Sequence, residues 1–288
     1  MKRIVIVGCG YIGERLARIW KEQGAVVDCL VRSPDKCVSL AREGYGATAL
    51  SLDDPEGISL PDTTGCLLYY LVPPPGGGII DSRARTFIAA LAVSGMPERI
   101  VYMSATSVYS EISGGVVTEE SPAEPASAMG KRRLDAEQAF QEYGRTQGVP
   151  VIVLRVSGIY GPGRLPLMQV SQGQPLLREE ESGPSNRIHA DDLAAMCVAA
   201  GERGEGDDIY NVSDGHPSSL TSYFNACADL LGYPRQPQVT LEEARKVMTP
   251  LMLSYVSESR VVDNSRMLEK LGVTLRYPSM AEGLPACR

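Results

Sequence analysis

Gly8, Gly10 and Gly13 stand in the spacing G-x-G-x-x-G, inside GCGYIG. The block directly follows the apolar run RIVIVG at 3–8 and opens an amphipathic stretch at 11–23. Strand, glycine turn and helix in that order can hold the diphosphate of a dinucleotide. Gly8 permits the tight turn, Gly10 lets the backbone come close to the phosphates, and Gly13 lets the helix press against the sheet. Tyr11 and Ile12 lie in the first helical turn, where free N–H groups and the positive dipole end face the anion.

Which dinucleotide is read from the end of the second strand. A carboxylate there suits a ribose 2′-hydroxyl, and a cation suits the 2′-phosphate of NADP. Asp28 lies at a tempting distance from Gly8, but the apolar run continues through Leu30 and Val31. That places Asp28 inside the strand, ~13 Å short of Arg32 at the usual rise per residue. Arg32, followed by Ser33, offers a planar guanidinium and a hydroxyl to a phosphate. NADP is the reading, with NAD as the alternative and Arg32 as a solvated loop residue the bland one. Asp53 either accepts from the adenine amino group or caps the turn in LDDPEG.

The elements that position these groups follow from periodicity. Strand-like runs at 3–8, 26–31, 66–72, 99–104 and 151–156 alternate with helical patterns at 11–23, 34–43, 79–94 and 128–147. Near-continuous apolar strands separated by helices predict an α/β Rossmann fold, a doubly wound parallel sheet with helices on both faces. Ligands then bind at the carboxyl ends of the strands. After about residue 160 the chain turns rich in Gly and Pro, and DDIYNVS at 207–213 reads as one more strand. Helical candidates at 218–231, 240–248 and 264–271 follow. The organisation expected is a dinucleotide-binding domain over 1–160, with 186–213 returning to it. A smaller, mixed but mainly helical substrate lobe takes 161–185 and 214–288, and VMTPLMLSYV is read as core packing.

Composition narrows the function classes. A net charge of −7 argues against a nucleic-acid or anionic-membrane partner. No stretch approaches the roughly 18 apolar residues of a membrane span. The N-terminal apolar run is too short for a signal peptide. The seven cysteines show no C-x-x-C pair, and most sit in apolar runs, as reduced thiols of a cytoplasmic protein do. His189 and His216 have no companions at ligand spacing, so no metal site is expected.

Several blocks together resemble the extended short-chain dehydrogenase/reductase superfamily, the NAD-dependent epimerase/dehydratase kind. They are GCGYIG, SATSVYS, the stretch at 125–140, LRVSGIYGPGR, NRIHADDLA and IYNVSDG, in that family's order. The short chain and NRIHADDL look most like the atypical branch of YeeZ-type proteins. The resemblance implies a Tyr acid/base, a Lys four residues on, and a Ser or Thr beside the reacting oxygen. Those positions hold Met129, Arg133 and Ala105. A thioether transfers no proton, and a guanidinium is never a base at neutral pH. Arg133 still has the donors to hold the cofactor's ribose. Two residues from Arg133, Lys131 points elsewhere by ~200°.

Replacement catalytic groups are sought nearby. Thr106 and Ser107 can restore the lost hydroxyl. Tyr109, Tyr160 and His189 are candidate acids, each also readable as packing: the tyrosines in the core, His189 orienting Asp191 or Asp192 at a helix start. Val72 and Pro73 begin VPPPGGG, which by position borders the cofactor as a clamp or is a plain surface loop. Arg164 is expected at the substrate mouth, favouring an anionic substrate. The helices at 79–94 and 128–147 would form a homodimer face in such a fold. Two functions remain open: an NADP-dependent oxidoreductase or epimerase with rebuilt acid/base groups on a carbonyl or nucleotide-sugar substrate, or a non-catalytic NADP(H) sensor.

Overall fold

The computed structural model describes residues 1–54, 58–249, 252, 253, 256 and 258–288. The first half runs β1 (Arg3–Val7), α1 (Tyr11–Glu22), β2 (Val26–Val31), α2 (Pro34–Arg42), β3 (Gly46–Ala49), β4 (Leu67–Tyr70), α3 (Ser82–Leu91), β5 (Arg99–Ala105), β6 (Ser113–Val117) and α4 (Ala128–Gln147). It continues with β7 (Val151–Val156), β8 (Gly158–Tyr160), α5 (Leu167–Ser171), β9 (Leu176–Leu177), β10 (Pro184–Ser185), β11 (Arg187–His189), α6 (Ala190–Arg203) and β12 (Ile209–Val212). The last part holds β13 (Ser218–Ser219), α7 (Leu220–Leu231), β14 (Gln238–Val239), α8 (Leu241–Val247), β15 (Ser259–Val262), α9 (Ser265–Leu271) and α10 (Met280–Gly283).

Seven strands form one parallel sheet in the order β12-β7-β5-β4-β1-β2-β3. The order reverses between β1 and β4, and the crevice above that point is where an open α/β sheet takes its ligand. Strand period two explains the layers. On β1, Ile4 and Ile6 join the core under α1 and α6, with Leu16, Trp20, Leu193 and Cys197. Val5 and Val7 join the opposite core, with Phe87 of α3 and Phe140 of α4. Every β1 position from Ile4 to Val7 is therefore buried, which is why the strand reads as a continuous apolar run.

Local chemistry sets the helix ends that matter for the site. Ser33 accepts from the Lys36 amide with Pro34 in the first turn, so α2 starts directly after the end of β2. Ser127 accepts from the Gly130 amide at 3.2 Å, and Gly148 closes α4 in the left-handed region at φ 70°. A third, smaller core packs Tyr160, Val170, Leu176, Tyr223, Phe224 and Leu284 between the lobe's helices.

Several short elements escape the sequence patterns. β6 pairs in parallel with β15, although one lies in the first half and the other near the end of the chain. Within the span 214–288 expected in the lobe, β15 thus joins β6, and Met267 and Leu271 of α9 enter the core beneath α6. β3 is GATA, too short and exposed to read as a strand from sequence, yet it edges the sheet beside β2. VMTPLMLSYV lies partly outside the described residues, as does the end of LDDPEG. Among the described residues no helix is long and apolar enough to cross a membrane.

Candidate functional site

At the reversal point the chain leaves β1 through Gly8, whose φ of +87° only glycine adopts freely. A Cβ there would meet the backbone nitrogen of Val72 at 3.0 Å, so the β1 and β4 ends close tightly. Gly13 is equally confined, with a Cβ 3.1 Å from the Gly8 carbonyl oxygen. Gly10 differs: a Cβ there would touch nothing within 4 Å, so its backbone faces open space. Gly10 is also the N-cap of α1 and supplies no side-chain acceptor. The opening N–H groups of α1, at Tyr11, Ile12 and Gly13, therefore present donors to an approaching anion. This cradle fits a diphosphate.

A cavity of about 420 Å³ runs from that turn along the ends of β1, β2 and β4. Gly8, Gly10, Arg32, Ser33, Asp53, Val72 and Pro73 line it, as do two cations absent from the sequence reading, Lys36 and Arg83. Arg32 directly follows β2, with a side chain 74% exposed, and lies 3.8 Å from Asp53. Arg83 grips both oxygens of Asp53 at 2.5 and 2.9 Å and also donates to the Pro73 carbonyl at 3.1 Å. Asp53 is thus engaged by arginine, which holds its carboxyl below the usual range. Lys36 pairs with Glu14 at 2.8 Å. Asp28 is far from all of this in role: it pairs with Arg3 at 3.1 Å, within the strand. Tyr11 donates to the Pro162 carbonyl at 3.0 Å and is flanked by Arg15 at 4.0 Å and Arg164 at 5.2 Å from its ring. Arg164 consequently stands against the glycine-turn helix and does not line the second cavity.

That second cavity, about 280 Å³, brings together Ala105, Thr106, Ser107, Met129, Arg133, Ser157, Arg187, Glu258 and Arg260 with five further residues. The three positions that the resemblance marks for catalysis therefore do converge. Gly130 is what lets them: a Cβ there would lie 2.3 Å from the Ser107 carbonyl oxygen, so α4 rests directly on the turn after β5. Arg133 donates to the Met103 carbonyl at 2.9 Å. The hydroxyls of Ser107 and Ser157 are buried without a hydrogen-bond partner. Arg260 is fully engaged, donating to the carbonyls of Thr106 and Glu111, each at 2.8 Å, and to Glu258 at 3.2 Å.

Three sequence candidates stand elsewhere. Tyr109 is buried beneath Arg155 and donates to Asn211 at 2.6 Å. Tyr160 packs in the lobe core, donating to the Ser279 carbonyl at 3.3 Å. His189 is fully buried, and its Nδ1 accepts from the Asp191 amide, making the histidine itself the N-cap of α6. Burial pushes its pKa down, against the nearby carboxylates. Neither aspartate caps that helix through its own side chain; Asp192 instead accepts from the amides of Arg276 and Tyr277. All three rings make their polar contacts internally, His189 Nε2 also lying 3.9 Å from the Cys287 sulfur, and none of the three lines the second cavity. Glu258, Lys36 and Arg83 were invisible to motif reasoning because each reaches its cavity from a segment with no motif of its own.

Likenesses to known proteins agree with this geometry. The model of the NAD dependent epimerase/dehydratase family matches residues 83–213. Protein YeeZ of Escherichia coli is 26% identical over 96% of this chain and 97% of its own length. A functionally unknown conserved protein from Silicibacter pomeroyi has a solved structure 29% identical, with a TM-score of 0.81 over 100% of this chain and 98% of that one. The dTDP-glucose 4,6-dehydratase of Bacillus anthracis, solved in complex with NAD, shares the fold at a TM-score of 0.76 and 16% identity, covering 100% and 95% of the two chains. With a glycine turn at a parallel sheet's reversal point, the chain is similar to the NAD dependent epimerase/dehydratase family over residues 83–213 and to protein YeeZ over nearly its whole length.

Proposed function

We propose that this protein binds NADP and acts as an oxidoreductase or epimerase on a carbonyl or nucleotide-sugar substrate, with its proton handling moved off the family's usual side chains. The observation that carries the reading is the second cavity, where Ala105, Met129 and Arg133 meet a partnerless Ser107 hydroxyl and the Glu258 carboxylate. Among the described residues lining it, Glu258 is the one carboxylate and so the candidate proton acceptor, the other ionisable groups there being arginines. Its contact with Arg260 fixes the carboxylate in place. Ser107 supplies an O–H donor for a substrate oxygen, and Arg133 a fixed positive charge where negative charge develops. A nicotinamide, when bound, supplies the hydride exchange.

Preference for NADP rests on Arg32, Lys36 and Arg83 facing the first cavity from three different elements. A dianionic 2′-phosphate suits such a cluster better than a hydroxyl does. The dehydratase above is in complex with NAD, so NAD is the competing cofactor. The substrate class is taken from that dehydratase's name and from the cavity's polar lining. All seven thiols are free and six are buried, which supports residence in the reducing cytoplasm.

NADPH consumption is followed with a panel of aldehydes, ketones and nucleotide sugars, for the native chain and Glu258→Gln. Turnover that falls about a hundredfold in the variant supports the assignment. The replacement of all three family side chains favours one second reading, a sensor of the NADP(H) pool. Tight NADPH binding with no turnover and no entry of solvent deuterium into any ligand would establish the sensor instead.

A further inference from the structure

Arg187 is the one arginine lining the second cavity that has no acceptor among the described residues. Its Nε and Nη2 atoms are both buried and both without a hydrogen-bond partner. Its guanidinium stacks on the Tyr223 ring at 4.1 Å, and Gly158 opposite it on β8 is what makes room: a Cβ there would lie 2.3 Å from Nη1. Asp214 is near enough for its charge to act on Arg187 yet bonds to it only through the backbone, its amide donating to the Arg187 carbonyl at 2.7 Å. Burying a guanidinium without an anion is costly.

The orphaned pair of atoms has a specific meaning. Nε and Nη2 form the side-on edge of a guanidinium, the edge that matches two oxygens of one oxyanion. The described residues show this four times: Arg83 on Asp53, Arg85 on Asp135, Arg155 on Glu137 and Arg235 on Asp229 each donate through Nε and Nη2 to both carboxylate oxygens. Arg187 lines the cavity with that edge buried and no carboxylate hydrogen-bonded to it. The partnerless hydroxyls of Ser107 and Ser157 share the cavity and add two further donors.

We propose that Arg187 is the substrate-selecting residue, holding an oxyanion of the substrate, a carboxylate or phosphate, through its Nε and Nη2 edge. Ala105, Met129 and Arg133 line the same small cavity, so the anionic group belongs close to the reacting carbon. The inference rests on the catalytic reading of this cavity and names what the site selects.

The test is calorimetry and thermal melting of the full chain with NADP present, using malonate, UDP and uncharged acetone as probes. Malonate stands for a compact carboxylate substrate and UDP for a nucleotide diphosphate, so the arm that binds identifies the source of the oxyanion. An oxyanion is expected to bind and raise the melting temperature, and acetone to do neither. Arg187→Met is expected to weaken that binding about tenfold or more. Its unliganded form should melt at or above the native temperature, because a buried unpaired charge is gone. Arg187→Lys, a point charge without the fork, should bind with intermediate strength. The proposal is overturned if the native chain binds neither oxyanion in the millimolar range, or binds one no better than Arg187→Met does. Should the methionine variant not fold, the native and lysine chains decide: equal affinity in the two overturns it. A parallel NADPH titration separates the readings, since cofactor binding without oxyanion binding removes only this proposal.

Discussion

Arg83 on α3 closes over Asp53 with two hydrogen bonds, at 2.5 and 2.9 Å, and so ties the segment after β3 to the helix after β4. Both carboxylate oxygens are taken, and Arg32 stands 3.8 Å from one of them. Asp53 therefore orients the cations of the first cavity while cancelling part of their charge. Asp53→Asn keeps an oxygen to accept from Arg83 and removes the negative charge. NADPH is expected to bind about threefold to tenfold more tightly in this variant, with the gain shrinking as salt is added. NADH affinity should stay as it is. Fluorescence titration at low and high ionic strength checks both points.

The end of β2 and its middle make a matched pair of tests. Arg32→Glu places a negative charge where the 2′-phosphate is proposed to lie, and NADPH binding should fall by about a hundredfold while NADH binding changes little. Asp28→Asn, inside the strand and paired with Arg3, should alter discrimination between the two cofactors not at all. Equal loss for NADPH and NADH in the first variant would remove Arg32 from phosphate recognition.

Sequence revealed the parts of this architecture that depend on local chemistry. The glycine turn was legible because Gly8, Gly10 and Gly13 answer three separate backbone demands within six residues. The long strands were legible because burial on both faces keeps them almost wholly apolar, with Asp28 and Arg155 as ion-paired exceptions. What stayed hidden depends on chain segments meeting across long separations. β6 is SGGVV and β15 is SRVV, each too short to carry a pattern, and they pair only because the tertiary fold brings them together. Glu258 and Arg260 reach the second cavity on that pairing. His189 was attractive as a titrating group from its type alone, but nothing in NRIHADDL says that its ring nitrogen caps a helix.

A buried ion pair anchors α4, the helix that carries Met129 and Arg133. Arg155 on β7 donates to both oxygens of Glu137, at 3.2 and 2.9 Å, and Ser104 donates to the same carboxylate at 2.5 Å. The two charged side chains are only 5% and 2% exposed. Removing one partner strands the other, so Glu137→Ala should destabilise the fold by about 3–5 kcal/mol. Glu137→Leu combined with Arg155→Met removes both charges and should recover most of that loss. Urea unfolding of the single and double variants gives the cycle, and a double variant as unstable as the single one would mean that the pair is not the unit.

Asp214 gives a pH dependence with a definite sign. It is 3% exposed, its Oδ1 accepts from the His216 amide at 2.9 Å, and its Oδ2 has no partner. Burial raises its pKa from 3.8 to about 6, against the opposing pull of that amide and of the His216 and Arg187 charges. The folded state thus holds this proton more tightly than the unfolded chain does. The associated stability is complete below the unfolded pKa and is lost as pH rises through the folded one. Two pKa units correspond to roughly 3 kcal/mol. Asp214→Asn keeps the acceptor for His216 and stays neutral at every pH. At about pH 8 the variant should therefore be more stable than the native chain by roughly 2–3 kcal/mol, with the gap closing as pH falls through 6 and gone near pH ~4. Denaturant melts of the ligand-free proteins across that range measure it directly; a gap that does not change with pH would mean that Asp214 titrates like a solvated carboxylate.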